Sequence, residues 1–342
     1  MNQPRLHIIS QLRSPFGGTE QRSMQLHRLL GEVADVTLWN THPRPELARQ
    51  FYPAARRLHA RYLSFPLSGV FFFIGNFDWH VGRWLSFTRP TRMVVLLNTP
   101  DMHLSRPFLQ RLHGFKPGVP IDLCYAADWM REVVGLPGVV HASPIDLERF
   151  RAAPARDPQR PFTVGRLSRD VAAKHHPEDP ALYRRLAAQG VQVRLMGATV
   201  LAKALEGVAG VEILPEGAEP ADAFLRSLDC FYYRTHPDWV EPSGRVICEA
   251  MATSLPVVCV PPGGFTEVID AGVNGFVTAD TDATYAALLE LAAAPQRCAE
   301  VGAQARAAME RRYGAAALRE QMAFIAAPAA ADDVRALLNQ PA

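Results

Sequence analysis

Residues 241–275 read EPSGRVICEAMATSLPVVCVPPGGFTEVIDAGVNG, and the reading of this stretch decides the fold. Pro242, Ser243 and Gly244 form a helix start, after which Val246, Ile247, Ala250 and Met251 repeat at helical spacing until Leu255-Pro256 ends the run. Glu241 then lies in the loop ahead of the helix, and Glu249 lies on its second turn. Between them the unspent amides of Ser243, Gly244 and Arg245 face outward at the positive end of the helix dipole, a setting suited to a phosphate. A carboxylate one turn further in can accept hydrogen bonds from ribose hydroxyls. The stretch therefore predicts a site for a nucleoside diphosphate, with Glu241 left to meet whatever the diphosphate carries. Arg245 and Glu249 are also i and i+4, a spacing that suits an ion pair along the helix.

The order of these features, Glu-x7-Glu, Ala-Met-Ala, Pro-Val-Val, Gly-Gly-x-x-Glu and Asn-Gly-Phe, resembles the donor site of retaining glycosyltransferases of the GT-B fold, in particular glycosyltransferase family 4. The resemblance implies an α/β protein of two Rossmann-like domains facing a central cleft. It also implies retention of anomeric configuration and a donor that is a nucleoside-diphosphate sugar, UDP-sugar before GDP-sugar.

Length and patterning agree with two domains. The chain has 342 residues, enough for two cores of ordinary size. With 48% hydrophobic and 20% charged residues and a net charge of +2, it reads as a globular protein without a general pull toward nucleic acid. Cys124, Cys230, Cys248, Cys259 and Cys298 show no Cys-x-x-Cys spacing and read as reduced core residues, which predicts a cytoplasmic protein. No run approaches eighteen apolar residues, and the N-terminus runs into a strand-like LHIIS rather than a cleavable signal.

Strand-like runs are expected at Leu6–Ser10, Val33–Trp39, Val70–Ile74, Met93–Asn98 and Asp122–Tyr125. A second set follows at Phe162–Leu167, Val191–Met196, Val211–Leu214, Asp229–Tyr233 and Pro256–Val260. Helical segments between them predict parallel sheets, and the restart near residue 155, after the linker-like RAAPARDPQRP of Arg151–Pro161, predicts two. The expected domains are residues 1–155 on the acceptor side, 156–320 on the donor side, and a tail, 321–342, that crosses back to the first domain.

Further candidates follow from loops at strand ends. Gly17 and Gly18, after the first strand, permit close backbone approach to a phosphate or sugar and match the family's Gly-Gly-x-Glu loop. Arg166 and Lys174 can place two positive charges on a diphosphate; they resemble the family's Gly-Arg-Leu…Lys element, with Asp170–Ala173 as an apparent insertion. Gly263 and Gly264 would let backbone approach the donor sugar. In the loop 98–103, Asp101 and His103 are the catalytic candidates, because Leu97 stands where the family often has a histidine. His175-His176 shows no metal-ligand spacing, so neither metal nor other cofactor is expected.

Residues 51–92 interleave Arg56, Arg57 and Arg61 with Tyr62, Phe65, Phe71–Phe73, Trp79, Trp84 and Phe87. The stretch reads either as a core strand with solvated arginines or as a patch for the inner membrane surface that collects a lipid-linked acceptor. The expected activity is metal-independent transfer of a hexosyl-type sugar to a glycan, lipid-linked or small-molecule acceptor, as in polysaccharide biosynthesis. A nucleotide-sugar epimerase of the same fold and a non-catalytic nucleotide-sugar-binding protein are the alternatives.

Overall fold

The structure is a computed structural model that describes residues 4–338 apart from 16, 45–48, 78–79, 100–101 and 153–158. Phe16, Trp79, Asp101 and the middle of the 151–161 linker lie outside the described residues. The chain divides into two compact units, one formed by Met1–Pro144 with Leu318–Ala342 and the other by Ile145–Ala317. The first division falls ahead of the proline-rich linker.

In the first unit, strands β1 (Arg5–Ser10), β2 (Asp35–Asn40), β3 (Arg56–Arg57), β4 (Ser68–Ile74), β5 (Arg89–Leu97), β6 (Ile121–Tyr125) and β7 (Val139–Val140) form one parallel sheet in the order β3-β2-β1-β4-β5-β6-β7. Helices α1 (Gly18–Leu30), α2 (Met102–Phe115) and α3 (Asp128–Val134) connect strands. Both faces of the sheet are covered, so β4 reads as an unbroken apolar run, Val70–Ile74, rather than an alternation. Phe71, Phe73, Val95 and Leu97 bury into one apolar layer, and Val70, Phe72, Val94 and Leu96 into the other. Phe71–Ile74 is thus core strand.

The second unit repeats the plan. Its strands β8 (Thr163–Leu167), β9 (Gln192–Met196), β10 (Val211–Leu214), β11 (Cys230–Tyr233), β12 (Val257–Cys259) and β13 (Phe276–Val277) run parallel in the order β10-β9-β8-β11-β12-β13. Helices α4 (Asp179–Ala188), α5 (Ala221–Arg226), α6 (Arg245–Ala252), α7 (Thr281–Ala293) and α8 (Pro295–Tyr313) complete it. In both sheets the winding reverses beside the first strand, between β1 and β4 and between β8 and β11. Loops diverge at the carboxyl ends there, the usual place for a ligand in a doubly wound sheet. All ten strands expected from sequence are present within a few residues; β3, β7 and β13 are two residues each, too short to carry a period.

After α8 the chain returns to the first unit through α9 (Ala315–Ala326), and this return has its own lock. Arg92 and Asp122, neighbours on β5 and β6 and both fully buried, form an ion pair at 2.5 Å. The Arg92 guanidinium also donates to the carbonyls of Phe324 (2.7 Å) and Ala327 (2.9 Å) at the end of α9. Asp122 accepts from the amides of Ala331 (3.1 Å) and Asp332 (2.7 Å). Val334 and Leu338 then enter the core of the first unit. All five cysteines are buried and none is joined in a disulfide, and no described helix is long and apolar enough to cross a membrane.

Candidate functional site

Three segments meet at the switch point of the second unit: the end of β8 with the following turn, the loop after β11, and the start of α6. Lys174 closes a single helical turn, Ala172–Lys174, that begins within the apparent insertion Asp170–Ala173 and ends just after it. Its ammonium group pairs with the Glu241 carboxylate and lies 4.9 Å from the centre of the Trp239 ring. The Tyr233 hydroxyl donates to the same Glu241 oxygen at 2.8 Å. Burial pushes the Lys174 pKa down, and Glu241 offsets part of that shift. A cation held partly out of water, with one carboxylate as counter-ion, is poised to take a stronger anion in exchange.

The Glu241 backbone is fixed as firmly as its side chain. It forms a parallel bridge with Gly263, and its carbonyl accepts from the Gly264 amide at 2.9 Å. Two glycines make room for this. Gly244 has φ +63°, and a Cβ there would sit 2.6 Å from the Phe265 Cβ; a Cβ on Gly263 would collide with the Phe265 ring. Phe265 is fully buried and packs edge-on against Tyr233, at 5.5 Å between ring centres. One aromatic side chain therefore sets the positions of Gly244, Gly263 and Tyr233 together. Replacing Gly244 by alanine is expected to destabilise the second unit by about 1–3 kcal/mol, from left-handed strain and the clash together. Urea denaturation measures it, and a loss below about 0.5 kcal/mol would mean that the loop relaxes freely.

α6 starts at Arg245, with Gly244 as its left-handed cap and Ser243 half-buried in the approach. Its first-turn amides point out of the helix, and Glu249 lies on the second turn as expected. The Arg245–Glu249 ion pair also forms, at 2.8 Å, with each side chain 13% exposed. It is a half-buried pair, not a solvated one. Burial raises the Glu249 pKa, and Arg245 opposes that shift.

Arg166 does not stand where the sequence reading put it. Its side chain is fully buried, so in this structure it offers no surface to a diphosphate. The guanidinium instead donates to the Lys174 carbonyl, lies 4.6 Å from the Tyr233 ring centre, and approaches the Asp179 carboxylate at 4.0 Å. The reason is local: the turn at Ala172–Lys174 folds back over the end of β8, and its last carbonyl meets the arginine. Asp179, in the first turn of α4, is buried as well and accepts from the Tyr232 hydroxyl at 2.8 Å. Sequence reasoning missed Asp179 and Trp239. Trp239, two residues ahead of Glu241, could have been found as an aromatic beside the leading carboxylate. Asp179 gave no signal beyond a helix start.

His175 is buried, contacts the Gly197 carbonyl through Nε2 at 2.9 Å, and has its pKa lowered to about 4 by burial and by Arg166. Burial and the neighbouring Arg166 both favour its neutral form. Among the described residues no group of three His, Cys, Asp or Glu side chains could hold a metal ion.

The remaining candidates belong to the first unit. Gly17 caps α1 in extended backbone, and a Cβ there would collide with the Glu20 carboxylate, which accepts from the amides of Arg13 and Ser14 at 3.4 Å. Gly18 is exposed with open space where a side chain would be. Asn98, after β5, donates to the Thr19 hydroxyl at 2.9 Å and joins its loop to the start of α1. His103 is exposed on the first turn of α2.

Residues 162–294 match the family of glycosyl transferases group 1. This match spans the Lys174–Glu241 pair, α6 and both glycines around Phe265. Among solved structures, Anabaena HepE in complex with UDP-glucose is 16% identical, with a TM-score of 0.63 over 94% of this chain and 98% of its own. A glycosyltransferase from Rickettsia africae is 10% identical, with a TM-score of 0.72 over 95% and 98%. Sucrose-phosphate synthase from Thermosynechococcus elongatus is 14% identical, with a TM-score of 0.67 over 94% and 97%. The fold is GT-B. No curated protein matches the chain in sequence.

Proposed function

We propose that this protein is a retaining, metal-independent glycosyltransferase that moves a sugar from a UDP-sugar to a glycan, lipid-linked or small-molecule acceptor. The observation that carries the reading is the Lys174–Glu241 pair set against the start of α6 inside the group 1 match. The UDP-glucose bound by Anabaena HepE, a structure of the same fold, favours uridine over guanosine. On this reading the α6 amides and Lys174 receive the diphosphate, Glu249 takes the ribose after giving up Arg245, and Glu241, released from Lys174, meets the sugar. Lys174 supplies the charge that stabilises the departing diphosphate, so no divalent ion is required. Arg166, braced by Asp179, holds the Lys174 turn in place from below.

Calorimetric titration with UDP, GDP and their sugars, with and without EDTA, tests this. UDP and a UDP-sugar are expected to bind equally well in chelator, and Glu249→Ala is expected to weaken both by about 1.5–3 kcal/mol, the range for hydrogen bonds to a charged group. Binding that vanishes in EDTA and returns with magnesium or manganese would overturn the metal-independent assignment. Unchanged affinity in Glu249→Ala would leave the ion pair with Arg245 as that residue's whole role.

A further inference from the structure

The first unit carries a surface that the transfer reading does not use. Tyr62, Leu63, Leu67 and Phe87 are 69%, 78%, 65% and 74% exposed, and backbone contacts bring their segments together. A bridge between His59 and Ser64 closes the loop that presents Tyr62 and Leu63, and the Ser64 hydroxyl donates to the Arg57 carbonyl at 2.7 Å. The Arg89 amide donates to the Leu67 carbonyl at 2.7 Å, two residues beyond Phe87. Lys116 donates to the carbonyls of Ser86 and Thr88, on either side of Phe87. Beneath the surface Phe65 and Trp84, both buried, anchor the two segments with ring centres 6.1 Å apart.

The leucine at the tip is held out against its own preference. Leu63 has φ +51°, left-handed backbone where glycine or asparagine is ordinary, and it is the most exposed of the four. The sequence that carries these side chains is strongly biased to positive charge. Between residues 51 and 100 the sequence has six arginines and a single acidic residue, Asp78. Arg92 is buried in its ion pair, whereas Arg56, Arg57, Arg61, Arg83 and Arg89 are all exposed.

We infer that this surface docks the protein on a bilayer rich in anionic phospholipid. Tyr62, Leu63, Leu67 and Phe87 enter the headgroup layer while the arginines meet its phosphates. Cations draw a protein to an anionic surface through water, and apolar side chains gain from leaving water there. The exposed apolar groups select a lipid surface over a soluble polyanion, which would be bound by arginines alone. The inference does not depend on glycosyl transfer, since none of these residues belongs to the proposed donor site.

Sedimentation of the full chain with vesicles tests it. Vesicles of phosphatidylglycerol in phosphatidylcholine are expected to bind the protein at least tenfold more strongly than phosphatidylcholine alone. The double variants Leu63→Ser/Phe87→Ser and Arg61→Ser/Arg89→Ser are each expected to lose tenfold or more while keeping the thermal midpoint of the parent. No binding to phosphatidylglycerol vesicles overturns the inference. So does binding that the arginine variant loses and the apolar variant keeps; capture of heparin equally by the parent and the apolar variant would then identify a surface for soluble polyanions.

Discussion

Lys174→Met is expected to lower turnover by about 10²–10³-fold, the scale of losing one preorganised charge from a site where negative charge develops. Methionine preserves much of the side-chain volume beside Trp239, so the loss reports on charge rather than packing. Glu241→Gln is expected to move in two directions at once. On the proposed assignment it removes the counter-ion that would compete with the diphosphate for Lys174, so UDP affinity should rise several-fold, while turnover should fall because the sugar would lose its carboxylate. From the sequence alone Glu241 is assigned to the sugar and its loss should leave UDP binding unchanged; the ion pair with Lys174 revises that expectation. Steady-state assays and calorimetry on both variants give the measurement. A Glu241→Gln protein that binds UDP more weakly than the parent would show that this carboxylate supports the nucleotide rather than competing with it.

The second large effect concerns stability. Asp122→Ala is expected to destabilise the first unit by about 3–5 kcal/mol, because it leaves the buried Arg92 guanidinium without its carboxylate. It also strips two amides in the returning tail, Ala331 and Asp332, of their acceptor. The converse double change, Arg92→Met with Asp122→Leu, removes both charges and should cost much less than the single change, as buried pairs replaced by apolar groups often do. Chemical denaturation followed by the fluorescence of the first unit's tryptophans compares the two. Equal losses in the single and double variants would mean that the tail hydrogen bonds, not the unpaired charge, dominate.

What the sequence revealed follows from how much each feature depends on local pattern. Strands such as Val70–Ile74 and Met93–Leu97 are buried on both faces, so they appear as apolar runs that residue type alone identifies. Glu241 and the start of α6 could be singled out because a leading carboxylate and a helix start carry chemical meaning on their own, and Lys174 because it resembles the family's Gly-Arg-Leu…Lys element. The inward turn of Arg166 was not, since it depends on the path of Ala172–Lys174 and on where Asp179 lies in space. Tyr233 illustrates the same limit. As the last residue of β11 it packs against Phe231 and Phe265, as a buried aromatic run leads one to expect, yet its hydroxyl also reaches Glu241, which the run does not announce. The exposed leucine at position 63 could not be foreseen either, because a left-handed backbone at a bulky residue is imposed by the closure of the 59–64 loop.

The return of the chain through α9 bears on how the protein is made. Ribosomal synthesis delivers the first-unit residues up to Pro144 first, but that unit lacks Val334 and Leu338 in its core, and its Arg92–Asp122 pair lacks the backbone groups of the tail that it binds, until the whole of the second unit has been translated. The second unit is continuous, so it is the one able to complete its core during elongation. The first must wait, with part of its apolar surface uncovered, in the condition that chaperones recognise and that favours aggregation.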